Sequence, residues 1–98
     1  MPRLCMEEIT CPLGTVVDLS LAGMRVRGAG EMSGVQNLTL SGFGIEAGPL
    51  PTRVVWCRTI DRRTFEAGFI FGKLSVSQRN RLSELALVGR RCNCLSAA

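Results

Sequence analysis

Short apolar segments with frequent β-branched residues recur along this 98-residue chain, and glycine, proline or charged residues separate them. This pattern is typical of strands joined by tight turns, so it predicts a small all-β domain. A chain of this length builds one hydrophobic core and not two. The predicted strands cover residues 3–9, 14–19, 24–28, 35–41, 53–60 and 64–71.

Three breaks separate the later strands. Residues 28–34 are rich in glycine and predict a loop. Residues 42–51 contain Pro49 and Pro51, and because proline removes a ladder donor, this segment is expected to bend or end a strand. The polar residues 61–63 lie between two strong strand patterns and predict a hairpin.

The end of the chain predicts a helix. Ser75 and Gln78 have the spacing of a capping box, in which each side chain satisfies the other residue's backbone N–H. Gly89 is expected to end the helix, and residues 92–98 are expected to form a flexible tail. The helix either closes one end of a barrel or pairs with its copy in a homodimer. The residues that can share its apolar side are Val76, Leu82, Leu85, Ala86 and Val88.

Residues 17–23 place polar side chains beside a glycine. Because side chains alternate on a strand, Asp18 and Ser20 are expected to project to one side. Gly23 leaves space where a Cβ would obstruct a ligand or a neighbouring backbone. The stretch is therefore either a docking platform for a polar ligand or a strand corner whose polar side chains satisfy nearby backbone N–H groups. The apolar residues expected to point into the core are Val17, Leu19 and Leu21.

The single tryptophan lies in the predicted hairpin. Strict alternation puts Trp56 on one face with Val54 and Arg58, and it puts Val55 and Cys57 on the other. The apolar neighbours favour a core position for Trp56, and stacking on a nucleic base is the alternative.

The net charge of +4 is unevenly distributed. Through Thr52, three arginines oppose five carboxylates, and from Arg53 onward nine basic residues oppose three acidic ones. Eleven of the twelve basic residues are arginines, whose forked donors suit phosphates and guanine edges. The bias fits a nucleotide ligand or an acidic partner, and a solvated basic surface explains it equally well.

The five cysteines do not indicate a disulfide framework. Their number is odd and the chain shows no secretion signal, so reduced thiols are expected. Zinc sites usually need four ligands, and the chain has no histidine. We therefore expect no metal site, although one ligand set is conceivable: Cys5, Cys57, Cys92 and Cys94.

Several functional classes lack support in the sequence. No apolar run is long enough to cross a bilayer, and residues 1–20 lack a signal-peptide pattern, so a cytoplasmic protein without membrane insertion is expected. The absence of histidine and tyrosine, and of a glycine–lysine phosphate loop, argues against an enzyme or a cofactor. A binding domain is the expected class.

The pattern Asp18-x-Ser20-x-x-Gly23 between apolar strand segments resembles the second signature of the PilZ domain family. Residues 53–57 and 66–71 resemble two later strands of that family, in the same order and before a short terminal helix. The resemblance implies a PilZ-like domain over residues 1–91. Its expected fold is a small six-stranded antiparallel β-barrel with a C-terminal α-helix.

PilZ domains are bacterial receptors for cyclic di-GMP, so the resemblance implies a nucleotide ligand and a role in signalling. It implies that Asp18 and Ser20 form hydrogen bonds with guanine and that Gly23 makes room for the base. Arg25 is a further candidate for a phosphate contact. Arg3 is another candidate, as the only arginine near the N-terminus.

The family's first signature, an Arg-x-x-x-Arg pair before the first strand, is missing because Glu7 stands four residues after Arg3. The same spacing at Arg58 and Arg62 lies across a hairpin, so no ligand role is assigned to it. Binding of cyclic di-GMP is therefore expected to be weak or lost. The alternative is a degenerate adaptor that acts through contacts with a protein partner. Single-stranded nucleic acid is the least favoured ligand, because few aromatic side chains are available for stacking.

Overall fold

The computed structural model describes residues 8–30 and 32–92. Within them, six antiparallel strands form a closed barrel in the order β1-β2-β3-β6-β5-β4, and one helix follows. The predicted six-stranded barrel with a C-terminal helix is confirmed. The elements are β1 (Ile9–Cys11), β2 (Gly14–Leu19), β3 (Gly23–Gly28), β4 (Val35–Gly42), β5 (Ile45–Thr59), β6 (Phe65–Phe71) and α1 (Val76–Arg91).

The barrel is filled by apolar side chains that alternate along the strands with outward polar ones. In β3, for example, Met24 and Val26 are buried, and Arg25 and Arg27 face outward. Burial of this kind is the main stabilising contribution in a domain of this size. The buried apolar residues are Ile9, Val16, Leu19, Met24, Val26, Met32, Leu38, Leu40, Ala47, Leu50, Ala67, Phe69, Leu82, Leu85 and Ala86.

The helix α1 packs against the barrel, which agrees with the predicted role of closing the barrel within one chain. Its buried residues Leu82, Leu85 and Ala86 belong to the same cluster as the strand residues. Its start is fixed by the predicted capping box, in which Ser75 Oγ accepts from the Gln78 N–H at 3.1 Å and Gln78 Oε1 accepts from the Ser75 N–H at 2.7 Å. The apolar side of the helix is therefore used within the chain, except at Val76, which was predicted to share that side but is 75% exposed.

The predicted end of the helix at Gly89 is wrong. Gly89 is buried inside α1, which continues to Arg91 and is capped by Cys92, whose N–H donates to the Val88 carbonyl at 3.0 Å. A contact with the barrel supports this last turn, because Arg90 Nη1 donates to the Leu19 carbonyl at 3.2 Å. Residues 93–98 of the predicted tail lie outside the described residues.

Within residues 42–51, β4 ends at Gly42 and the next strand is bulged at Gly48 and Pro49, as predicted, but the predicted start of that strand at residue 53 is wrong. After a turn at residues 43–44, β5 begins at Ile45 and runs through both prolines. The ladder accommodates them with a bulge: Gly48 and Pro49 together oppose Thr39, and pairing resumes at Leu50. The absent donor of Pro49 therefore falls where the ladder is already interrupted.

The other strand boundaries follow the sequence more closely. The strand β1 covers Ile9–Cys11, so it extends beyond the predicted end, and the earlier part of that prediction, residues 3–7, lies outside the described residues. The glycine-rich loop joins β3 to β4, and the hairpin joins β5 to β6. In the hairpin turn, the Ile60 N–H donates to the Thr64 carbonyl at 2.8 Å, and Asp61 accepts from the Arg63 N–H at 2.9 Å. Among the described residues, no helix is long and apolar enough to span a bilayer.

The packing of α1 can be tested by truncating one buried leucine. We expect Leu85→Ala to lower the free energy of unfolding by about 2–5 kcal/mol, because it leaves a cavity where α1 meets the barrel. Leu87→Ala is the matched control, since Leu87 lies on the same helix and is exposed. Denaturant unfolding measures both variants. Equal losses in the two variants would contradict this packing.

Candidate ligand-binding face

Four strands place one row of functional side chains on the outside of the barrel. Asp18 of β2 pairs with Arg25 of β3, Arg25 pairs with Gly68 of β6, and Gly68 pairs with Trp56 of β5. Paired residues point to the same side of a sheet, so this row crosses the outer surface. We call the outer surface of β2, β3, β6 and β5 the ligand face.

A buried carboxylate organises the ligand face. Glu66 of β6 is fully buried although it points outward, because arginines from the two flanking strands cover it. Arg27 and Arg58 each contact it at 2.8 Å through Nη2, and Arg25 Nη1 lies 3.8 Å from Oε1. The three arginines are thus held together on one surface despite their like charge.

The environment of Glu66 keeps it ionised. Burial by itself raises the pKa of this carboxyl, but hydrogen bonds from Arg27 and Arg58 lower it, and the charge of Arg25 lowers it further. The net effect places the pKa of Glu66 below its ordinary value of 4.5. The carboxylate therefore remains charged at neutral pH and continues to hold its three partners.

Arg25 connects Glu66 to the signature residue Asp18. Its Nη2 lies 3.8 Å from Asp18 Oδ2, and both side chains are about one-third exposed. Its Nε is buried and has no hydrogen-bond partner among the described residues. Arg25 therefore bridges two carboxylates and lies at the middle of the ligand face.

Ser20 forms a strand corner, as one of the two sequence interpretations required. Its Oγ accepts from the N–H groups of Ala22 at 3.2 Å and Gly23 at 3.3 Å, and it lies 3.4 Å from the Gly23 carbonyl. The Ser20 N–H also donates to that carbonyl at 2.9 Å. The hydroxyl thus stabilises the turn between β2 and β3, and Asp18 forms an ion pair instead of a bond to the turn.

The predicted alternation of residues 17–21 is only partly right. A register shift in β2 leaves Val17 unpaired between Val16 and Asp18, so Val16 and Leu19 are the residues that enter the core. Val17 is half-buried and lies outside the core cluster. Leu21 lies in the turn after β2 and is 48% exposed, so its predicted core position is wrong.

Gly23 is required by the neighbouring strand. A Cβ at this position would overlap the carbonyl oxygen of Phe69 on β6. The glycine therefore allows β3 and β6 to approach closely where they pair. Of the two uses that the sequence suggested for Gly23, close approach of a neighbouring backbone is the one observed.

The core position predicted for Trp56 is wrong, because the side chain is 41% exposed. A further register shift, at Val55, breaks the alternation that the prediction assumed, so Val54 and Cys57 are the residues that pack against the core. The indole lies over Gly68, where any Cβ would overlap its ring. The Arg58 guanidinium is 5.6 Å from the ring centroid, within the range of a cation–π contact.

These residues border an open depression of about 340 Å³. Four of the five predicted ligand-binding residues line it, and Trp56 forms the opposite wall; Arg3, the fifth, lies outside the described residues. The lining residues are Asp18, Ser20, Gly23, Met24, Arg25, Val55, Trp56, Gly68 and Phe69. The depression thus combines a carboxylate, a guanidinium and an exposed aromatic ring, which are groups that hydrogen-bond and stack with a nucleobase.

Sequence reasoning missed Glu66 and Gly68 as parts of this face. Glu66, Gly68 and Ile70 alternate along β6, as Arg25 and Arg27 do along β3, so a shared face was detectable within each strand. The pairing register that brings the Glu66 carboxylate between the arginines could not be detected from the sequence, because it depends on which strands are neighbours in the barrel.

The cysteines provide no metal site in the described part of the chain. Cys11 and Cys57 are free thiols, and residues 8–30 and 32–92 contain no group of three potential ligands. Burial raises the pKa of the Cys11 thiol, which favours its protonated form. Cys5 and Cys94, which completed the conceivable zinc set, lie outside the described residues.

The chain belongs to the PilZ domain family, because the family model matches residues 7–87. This family consists of cyclic di-GMP-binding and signalling domains. No curated protein and no solved structure matches the chain. The match spans the whole barrel and most of α1, and it includes the signature residues that border the depression.

The role of Glu66 predicts a pH-dependent difference in stability. Glu66→Gln removes the charge that holds three arginines, and we expect it to lower the free energy of unfolding at pH 7 by about 2–4 kcal/mol, since the arginines remain partly exposed. Because the folded-state pKa is depressed, this difference is present above pH 4.5 and disappears as the pH falls through the pKa of Glu66. Denaturant unfolding between acidic and neutral pH measures it.

Glu46→Gln is the control for this series, because Glu46 is an exposed carboxylate of β5. It is expected to leave stability nearly unchanged throughout. A Glu66→Gln deficit that persists unchanged at strongly acidic pH would contradict the ion-pair account and indicate a packing defect instead.

The contact of Trp56 with Gly68 gives a spectroscopic prediction. Gly68→Ala introduces a Cβ where the indole lies, so the indole moves toward solvent and its emission maximum shifts to longer wavelength. Trp56 is the only tryptophan, so the signal is unambiguous. Gly30→Ala is the matched control, because a Cβ there meets nothing within 4 Å. An unchanged spectrum in Gly68→Ala would contradict the contact.

Proposed function

We propose that this domain is a bacterial cytoplasmic signalling module that binds cyclic di-GMP weakly on its ligand face and has no catalytic activity. The observation that carries the proposal is the depression itself. Asp18, Ser20, Gly23 and Arg25, which come from the family signature and its flank, all border it, and the exposed indole of Trp56 faces them.

The chemistry of the depression suits a guanine base with a nearby phosphate. The Asp18 carboxylate can accept hydrogen bonds from the amino edge of guanine, and the arginine forks can donate to its O6 and N7 atoms or to phosphate oxygens. Trp56 offers a flat surface for stacking, which contributes about 1–3 kcal/mol per base in other nucleotide complexes. Arg27 and Arg58, held by Glu66 beside the depression, add positive charge that favours an anionic ligand.

Two features of this chain weaken the expected affinity. Glu7 stands where the second arginine of an Arg-x-x-x-Arg pair beginning at Arg3 would be, and the loss of two charge-assisted contacts of about 1.5–3 kcal/mol each would reduce a micromolar affinity to about millimolar or weaker. Arg25 is also already paired with Asp18 and Glu66, so a ligand that recruits Arg25 or Asp18 must replace part of these contacts.

The second candidate function is a protein adaptor that works without nucleotide. The observation that favours it is that both signature residues have structural roles. Ser20 Oγ accepts hydrogen bonds from the turn, and Gly23 allows the neighbouring strand to approach, so neither residue requires a ligand to explain its presence. Exposed apolar residues on the same side of the barrel, including Val55 and Ile70, would then provide the working surface.

Titration of the chain with cyclic di-GMP, followed by calorimetry and by Trp56 fluorescence, tests the proposal. We expect saturable binding with a dissociation constant of about a millimolar and quenching of the indole as the base stacks. Asp18→Ala should abolish binding, because it removes the carboxylate that accepts from the amino edge of guanine. Glu46→Ala is the control, because Glu46 is an exposed carboxylate that does not line the depression.

The outcomes separate the two functions. Loss of binding in Asp18→Ala with binding intact in Glu46→Ala supports the receptor. No heat and no change in fluorescence at millimolar nucleotide would overturn the receptor proposal and leave the adaptor as the function of this chain. Equal binding in wild type and Asp18→Ala would overturn the assigned site.

A further inference from the structure

A second concave surface adjoins the depression, at the start of β4, the middle of β5 and the end of β6. It is a groove of about 210 Å³ with mainly apolar walls, and we call it the outer groove. Val35 is 74% exposed there and Ile70 is 38% exposed, although both are large apolar side chains. The lining residues are Val35, Pro51, Thr52, Arg53, Ile70, Phe71 and Gly72.

The strand register gives the outer groove a definite pattern. Val35 of β4 pairs with Arg53 of β5, and Arg53 pairs with Ile70 of β6. Adjacent strands are about 4.8 Å apart, so Val35 and Ile70 are separated by about 10 Å with the arginine between them. The surface therefore presents one cation flanked by two exposed apolar side chains.

A partner must recognise the outer groove through side chains. The backbone of β5 is paired here with both β4 and β6, so the centre of the outer groove offers no free strand edge for an added strand. Side-chain recognition by a helix fits the spacing, because residues seven apart on one face of a helix are separated by about 10.5 Å.

The charge of the outer groove selects an acidic occupant. Its lining contains Arg53 and no carboxylate, and Lys73 follows directly after Gly72. Arg53 forms no ion pair with any residue in 8–30 or 32–92, so its guanidinium is available to a partner. A second copy of this chain placed face to face by a twofold axis would bring Arg53 against Arg53, which opposes self-association.

We propose that the outer groove docks an acidic amphipathic helix of a partner protein. The helix places apolar side chains at positions i and i+7 against Val35 and Ile70, and an Asp or Glu at i+3 or i+4 against Arg53. This assignment rests on the adaptor function and names its partner class. It does not require nucleotide binding, because Val35, Arg53 and Ile70 lie outside the lining of the depression.

Selection of a phage-displayed library of random helical peptides on the full chain tests the docking site. We expect the enriched peptides to carry the apolar–acidic–apolar spacing and to bind about tenfold more weakly to Val35→Ser, Ile70→Ser and Arg53→Glu, as expected for central interface contacts. Replacing the acidic position of an enriched peptide by Lys should abolish its binding to the wild type and restore part of its binding to Arg53→Glu.

Matched variants on α1 control for general effects of the substitutions. Val76→Ser matches Val35→Ser, because Val76 is 75% exposed, and Arg79→Glu matches the charge reversal at Arg53. Both should bind the enriched peptides as the wild type does. Circular dichroism and thermal unfolding establish that the groove variants remain folded, and Val35→Ser, at the most exposed position, keeps the test valid if Ile70→Ser does not fold.

Three results would overturn the proposal. One is that no peptides remain enriched on the wild type once those that also bind Ile70→Ser are removed. Another is that the enriched peptides carry no acidic residue. The third is a concentration-dependent dimer in sedimentation that Ile70→Ser abolishes, which would make a second copy the occupant. Titration of the groove variants with cyclic di-GMP separates failure of the docking proposal from failure of the receptor proposal. These variants should retain whatever cyclic di-GMP binding the wild type shows.

Discussion

The ion pairs around Glu66 determine what the outer surface of this barrel can do. Arg25, Arg27 and Arg58 come from strands on both sides of β6, and without a central anion their mutual repulsion would push them apart. The buried carboxylate gives each a fixed partner and turns them into a preorganised cationic surface. It also ties β3 and β5 to β6, so the same contacts that shape the ligand face hold the barrel together there.

Two bulges place the remaining site residues. The extra residue Val17 shifts the alternation of β2 so that Asp18 pairs with Arg25, and the extra residue Val55 shifts β5 so that Trp56 pairs with Gly68. Each bulge thereby sets which side chain next to it faces outward, a common use of bulges beside functional sites. The two bulges thus place Asp18 and Trp56 on the outer surface, where they border the depression.

The sequence predicted those features that depend on local patterns. Alternation located most strands, the Ser75–Gln78 box located the start of α1, and the signature at residues 18–23 identified the family. Strict alternation failed for Trp56 because a single inserted residue reverses the face of every residue beyond it. Neither the bulge at Val55 nor the contact of the indole with Gly68 is indicated by the local sequence. The role of Glu66 needed the order of strands in the barrel, which a local pattern does not contain.

The arrangement of β6 places two binding surfaces next to each other. Gly68 and Phe69 line the depression, and Ile70 and Phe71 line the outer groove, so consecutive residues of one strand serve both. The indole of Trp56 rests on Gly68, and Val55 of the same bulge is exposed beside it, two residues from Arg53 of the groove. The bulge at Val55 therefore lies between the two surfaces on β5, with Trp56 of the depression next to it and Arg53 of the outer groove two residues away.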